Sequence, residues 1–272
     1  MHQAGKWSPF KRTWLDRLLG RWTLDFSPGY IFLDNLSRLL SPYQLNPFNI
    51  NPLRDLISSL VDFEHVRHAE GIKLFVVATN VRTGFPKIFR RQEMTADMVM
   101  ASCCLPFMFQ AVEIDGEAYW DGGYVGNPAL YPLVNDCNSQ DIVIVQINPI
   151  YRQEIPRTAP EVFNRINEIT FNASLIEEIR ALALLKELIK VGNLEDQRFR
   201  DSFFHRIHAD EELKSMSVSS KFNTEWEFLT HLHDVGYRSA SEWLEQNFDD
   251  LGKRSTLDYE SVYLAWKEDN YL

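Results

Sequence analysis

The chain has 272 residues, 45% hydrophobic and 13% aromatic, with a formal net charge of -10. Such a composition supports a substantial core and excludes a disordered chain; the acidic balance excludes broad electrostatic binding to nucleic acid or anionic lipid headgroups. Three cysteines make no disulfide framework, and no apolar run reaches the roughly 20 residues of a membrane span.

Residues 1–56 read as short helical patches, "TWLDRLLGRW" and "IFLDNLSRLL", followed by a turn-rich stretch, "SPYQLNPFNINPL". There the residue before each proline is pushed out of the α region. Pro52 suits the first turn of a helix, "PLRDLISSLV". The character changes near residue 71. "IKLFVVAT" (72–79) and "DIVIVQI" (141–147) are nearly continuous β-branched and aromatic runs, the pattern of strands covered on both faces. Between them "EMTADMVMASCCLPF" predicts a helix ended by Pro106. "QAVEIDGEAYWDGG" predicts a hairpin turning at Asp115-Gly116. Beyond Pro160 the chain reads as helical. Leu175, Ile179, Leu182, Leu185 and Ile189, at spacings of 4, 3, 3 and 4, share one helix face, with Asn172 or Ser174 as its cap and Gly192 as its end. A later helix covers "EWEFLTHLHDVGYRSASEWLEQNF". Strand, helix, hairpin, helix and strand make an α/β layout.

One short stretch asks for chemistry. Asp121-Gly122-Gly123 follows Tyr119-Trp120 and precedes Gly126-Asn127-Pro128. Asp-Gly steps are ordinary turn formers, and Asp115-Gly116 needs no other explanation. At Asp121, two glycines keep bulk away from a carboxylate and Asn127-Pro128 stiffens the exit. A carboxylate so placed suits a general base acting on a hydroxyl or a water.

The ordered motifs Thr79-Asn80, Thr83-Gly84, Ala101-Ser102 with Pro106, and Asp121-Gly122-Gly123 resemble the second half of a patatin-like phospholipase domain. The resemblance covers residues 57–150 well and extends loosely to about 250 through "FHRIHAD" and "GYRSASEWL". It implies an α/β, three-layer domain with a mainly parallel sheet, followed by a mostly helical C-terminal region. It also implies a lipid acyl hydrolase that uses a Ser-Asp dyad. The serine sits in a Gly-x-Ser-x-Gly elbow, a glycine-rich stretch stabilises the oxyanion, and Asp121 accepts the proton, with Gly122, Gly123, Asn127 and Pro128 supporting its turn.

None of the 12 glycines has a serine two residues later, and Gly122-Gly123 is the only adjacent glycine pair. Nucleophile and oxyanion loop are therefore both absent from this sequence. The expectation is a domain incomplete at its N-terminus, without its first strands. Its parts are a helical and loop segment (1–56), an α/β core with the Asp-Gly-Gly motif (57–150) and a helical remainder of the same domain (151–272). Such a chain is expected to be inactive alone and unstable without a partner. Two alternatives stay open: a non-catalytic remnant that binds lipid or protein, or one half of a split enzyme whose complementary N-terminal polypeptide carries the serine.

Ser102 reads as a helix residue bonded to backbone rather than a nucleophile, since nothing around it forms a strained elbow. Cys103 and Cys104 read as small buried hydrophobes. His205, His208, Asp210 and Glu211, and His231, His233 and Asp234, have ligand-like types without a familiar zinc spacing, in segments read as helical or loop. No metal and no cofactor is expected. The opening "MHQAGKWSPFKRTW" lacks a signal peptide's apolar run, so the reading is cytoplasmic, with lipid or acyl-ester substrate, no nucleic acid, and any peripheral membrane contact driven by apolar groups.

Overall fold

A computed structural model describes residues 8–190 and 202–263, arranged in two compact units. One unit comprises residues 35–137 with 173–178 and holds an antiparallel sheet. The other comprises, among the described residues, 8–34, 138–172, 179–190 and 202–263 and holds a parallel pair of strands.

In the antiparallel unit, short helices come first: α3 (Pro42–Leu45), α4 (Pro52–Leu60) and α5 (Phe63–His68). Asn51 caps α4 through the Arg54 N–H, and Asp62 caps α5 through the His65 N–H. Then come β1 (Phe75–Asn80), β2 (Pro86–Arg90), α6 (Ala96–Ser102), β3 (Val112–Ile114), β4 (Glu117–Asp121) and α7 (Tyr131–Asp136). The strand order is β2-β1-β4-β3, every pair antiparallel. Asn80 Oδ1 accepts the N–H groups of Arg82 and Thr83 and closes the β1–β2 turn. Asp115 and Gly116, at φ 53° and 80°, make the β3–β4 turn, both residues left-handed as a type I′ hairpin requires. The buried faces of α6 and the sheet meet in a core of Ala78, Phe89, Met94, Met98, Ala101 and Tyr119, in which the Phe89 and Tyr119 rings stand edge to face at 5.4 Å.

The parallel unit holds β5 (Asp141–Gln146) and β6 (Phe203–His208), with α9 (Asp210–Leu213), α10 (Trp226–Asn247) and α11 (Tyr259–Tyr263) after them, and α1 (Trp14–Leu18) near the chain's start. Two long helices have stretches in both units: α2 (Pro28–Leu39) and α8 (Ala159–Lys190). Arg12 ties the early segment to the start of α10: its Nε donates to Glu225 at 2.7 Å and its guanidinium lies 4.0 Å above Trp22.

The α/β class holds, and four expectations change. The sheet is not mainly parallel. Strands β1–β2 and β3–β4 are joined by short turns and pair as antiparallel hairpins, and β4 also runs antiparallel to β1; only β5 and β6, with the long helix α8 between them, run parallel. Strand β5 is not covered on both faces: Ile142, Ile144 and Gln146 are buried, whereas Val143, Val145 and Ile147 are 43%, 71% and 65% exposed. Asn172 and Ser174 do not cap α8, which starts 13 residues before Asn172, at Ala159, where Glu161 accepts the Arg157 and Thr158 N–H groups. Along α8, Leu175, Ile179 and Ala183 are buried at four-residue intervals, with Leu182 and Leu185 half-buried; the Ile189 side chain and Gly192 lie outside the described residues. Finally, "FHRIH" is strand β6 rather than helix or loop.

Candidate functional site

Asp121 is the last residue of β4, opposite Ala78 of β1. Its backbone is held on both sides: its N–H donates to Cys104 O at 2.9 Å, and Thr79 Oγ1 donates to its carbonyl at 2.7 Å. Its side chain is held as well, because Oδ1 accepts the Gly123 N–H at 2.7 Å and caps the 3-10 turn Gly122–Tyr124. One carboxylate oxygen thus sits on a backbone donor, which fixes the rotation of the group.

Gly122 is required by contact rather than by φ. A Cβ there would stand 2.1 Å from Val77 O, well inside contact distance. Gly123 is also buried. The turn continues through the Val125 and Gly126 N–H groups, both donated to Gly122 O. Asn127-Pro128 follows as a cis peptide, and the Asn127 N–H donates to Ser174 Oγ at 3.2 Å. Glu178 then accepts the Leu130 N–H at 2.6 Å and the Tyr131 N–H at 3.1 Å at the start of α7. Burial raises the Glu178 carboxyl above its ordinary value in spite of those two donors.

The groups beside Asp121 are protic and hard to ionise. The Cys104 thiol is pushed up to about 12 by burial first, then by neighbouring Cys103 and Asp121. Burial and the Asp121 charge likewise raise the Tyr124 phenol. Cys104 Sγ donates to Gln110 O at 3.1 Å, so it stays a protonated structural thiol at neutral pH. Cys104 is buried as expected; Cys103 is exposed instead, because it is the C-cap of α6 and lies past the helix's covered face. Ser102 Oγ donates to Val99 O at 2.8 Å, the turn-back bond of a helix serine, and its flanks form no elbow.

The histidines do not converge. His205 is fully buried, with Nε2 at 3.0 Å from Asp141 Oδ1, Nδ1 at 2.9 Å from Thr256 Oγ1, and the Trp243 ring against its edge. His208 lies three positions along β6, hence on the other face, beside Asp210. His233 pairs with Asp234 on α10 and stacks on Tyr237. Among the described residues no three His, Cys, Asp or Glu side chains are grouped to hold a metal. No helix among them is long and apolar enough to cross a membrane.

The motif residues Asp121, Gly122, Gly123, Asn127 and Pro128 form one continuous turn at the end of β4. What sequence reading missed is its bracing by Thr79, Cys104 and Glu178, residues 42, 17 and 57 positions away; Thr79 belongs to the Thr79-Asn80 motif and Cys104 lies between Ser102 and Pro106, but neither motif announces the contact. Compared with known proteins, residues 6–134 match the family model described as patatin-like phospholipase. The match begins earlier than the motifs alone suggested and stops before β5. No curated protein matches the chain.

Proposed function

Residues 6–134 belong to the patatin-like phospholipase family, and from that premise we propose that Asp121 is the general base of a Ser-Asp dyad in a lipid acyl hydrolase. The serine Oγ attacks the ester carbonyl of the lipid; its proton passes to the Asp121 carboxylate and then to the departing alcohol. Water repeats the sequence on the acyl-enzyme and frees the serine. The supporting observation is the braced turn. Backbone bonds at Thr79 and Cys104, and the Gly123 N–H on Oδ1, hold the carboxylate in one orientation before any substrate arrives. Gly122, Gly123, Asn127 and Pro128 serve that turn rather than the reaction.

The nucleophile and the oxyanion donors lie outside these 272 residues, since no glycine here precedes a serine by two positions and Ser102 is committed to Val99. Alone, then, this polypeptide turns over no ester. The exposed strip Val143, Val145 and Ile147 on β5 supports docking of a further polypeptide that brings the serine. The same strip favours the second reading, a protein-binding remnant without catalysis. The substrate is an acyl ester of a lipid, no metal or cofactor takes part, and with a net charge of -10 attachment to a membrane surface is driven by apolar contact.

A fluorophosphonate probe tests the reading directly. Incubated with the 272-residue chain it labels no serine; incubated with the chain co-expressed with a polypeptide bearing Gly-x-Ser-x-Gly, it labels that serine. Hydrolysis of a short-chain ester then appears, and Asp121→Asn removes it. Labelling of any serine in the 272-residue chain would sink the proposal. Restored activity that survives Asp121→Asn would remove Asp121 from its role.

A further inference from the structure

The parallel unit contains an apolar cleft of about 280 Å³, just below the usual range for small-molecule sites and suited to one large side chain. Phe171 of α8, Met216, and Phe228, Leu229 and Leu232 of α10 wall it, with Ile147 next to the end of β5. Lys221 also lines it, its ammonium 5.2 Å from the centre of the Phe171 ring. Open apolar space forfeits the contacts that a filled interior makes, so a group that enters it stabilises the fold.

The last described residue, Tyr263, stands near this cleft. In α11 the Tyr259 ring is 6.4 Å from that of Phe204, at the start of β6. The buried Tyr263 hydroxyl donates to Gln146 Oε1 at 2.9 Å, at the end of β5. The helix therefore runs toward the carboxyl ends of the two strands. Gln146 leads on to the cleft: its amide donates to Asn148 O at 3.2 Å, and Asn148 lines the cleft with Pro149. Residues 264–272, outside the described residues, read Leu-Ala-Trp-Lys-Glu-Asp-Asn-Tyr-Leu. Trp266 is three positions past Tyr263, within roughly 10 Å of it even on an extended chain. Glu268 and Asp269 come next but one, and their charge complements the Lys221 ammonium.

We propose that the cleft is the seat of the chain's own C-terminal segment. The Trp266 indole lies among Phe171, Met216, Leu229 and Leu232, and the Glu268 and Asp269 carboxylates turn toward Lys221. A flat, largely apolar ring suits walls made of two phenyl rings, two leucines and a thioether. The seated segment acts as a clasp, tying the ends of β5 and α11 to the first turns of α10. The seat belongs to the parallel unit, beyond the patatin-like match, and does not depend on the role of Asp121.

A photo-cross-linker at the anchor tests the seat. The full chain carrying Trp266→p-benzoylphenylalanine, irradiated at dilution, is expected to join residue 266 to Met216, Leu229 or Leu232 of the same molecule, read by mass spectrometry of the digest. A second readout is the dye 1-anilinonaphthalene-8-sulfonate, which fluoresces on exposed apolar surface. Its emission rises severalfold with Trp266→Ala. Leu229→Trp added to that variant fills the cleft in place of the indole and returns the emission to the wild-type level. Far-UV circular dichroism establishes that the dye variants are folded, and the cross-link decides if one is not. Cross-links wholly outside the cleft, or only between two molecules, overturn the seat, as does dye emission unchanged by Trp266→Ala in the folded protein.

Discussion

A Cβ at Gly122 would stand 2.1 Å from the Val77 carbonyl oxygen, whereas a Cβ at Gly116 would meet nothing within 4 Å but would sit on a backbone at φ 80°. The first position is closed by packing and the second by conformation. Gly122→Ala must push β1 and β4 apart at the point where Asp121 is held, at a cost of about 3 kcal/mol. Gly116→Ala pays only the left-handed penalty, about 1 kcal/mol. Urea unfolding of the two variants should show that order; equal losses would mean that the Gly122 turn relaxes freely. The motif itself was legible at this scale, because glycine beside an acid is visible in one dimension. The reason for the glycine was not, since Val77 is 45 residues earlier in the chain.

At the scale of elements, hairpins and helices followed local signals. Left-handed Asp115-Gly116, the capping residues Asn51 and Asp62, and the four-residue spacing along α8 all act between near neighbours. Strand coverage is a different kind of fact. A run such as "DIVIVQI" reads as buried on both faces, yet only Ile142, Ile144 and Gln146 find cover. The partner of β5 is β6 alone among the described residues, so Val143, Val145 and Ile147 project as an apolar strip on a two-stranded parallel pair. A strip of that kind favours pairing with another chain. Val145→Lys should therefore reduce self-association in sedimentation velocity while leaving the unfolding midpoint within about 0.5 kcal/mol of wild type. A large loss of stability would show that Val145 is covered in solution. The His205 strand was missed for a related reason: alternating His, Arg and Phe look like a polar loop until Asp141, Thr256 and Trp243 close around the imidazole.

At the scale of the whole molecule, each unit is secured by bonds between distant parts of the chain. Glu225 is the clearest case. Burial pushes its carboxyl up, but the side chain and N–H of Arg12 together with Arg17 outweigh burial and hold it below the ordinary value. A carboxyl depressed by folding stabilises the native state above the unfolded value of about 4.3, and that contribution is lost as pH falls through the folded value. Glu225→Gln leaves the buried Arg12 charge with only the exposed Glu227 as an ion partner and should cost about 3 kcal/mol at pH 7. The gap between variant and wild type should shrink as the pH is lowered below the usual carboxylate range, measured by urea unfolding at each pH. A gap independent of pH would show that the Glu225 charge does not hold the Arg12 segment. Nothing near Arg12 or Glu225 in sequence signals a partner 213 residues away.

Sequence alone was enough for the α/β class, the β3–β4 hairpin, the long helices and the resemblance to a patatin-like domain. Each of those rests on periodicity, turn chemistry or motif spacing, which are properties of neighbours along the chain. The tertiary structure decided the antiparallel order β2-β1-β4-β3, the exposed face of β5, the bracing of Asp121 by Thr79 and Cys104, and the apolar cleft beside Phe171. Those depend on which segments meet in space. That is settled by the summed burial and hydrogen bonding of residues far apart in the chain, which no local pattern encodes.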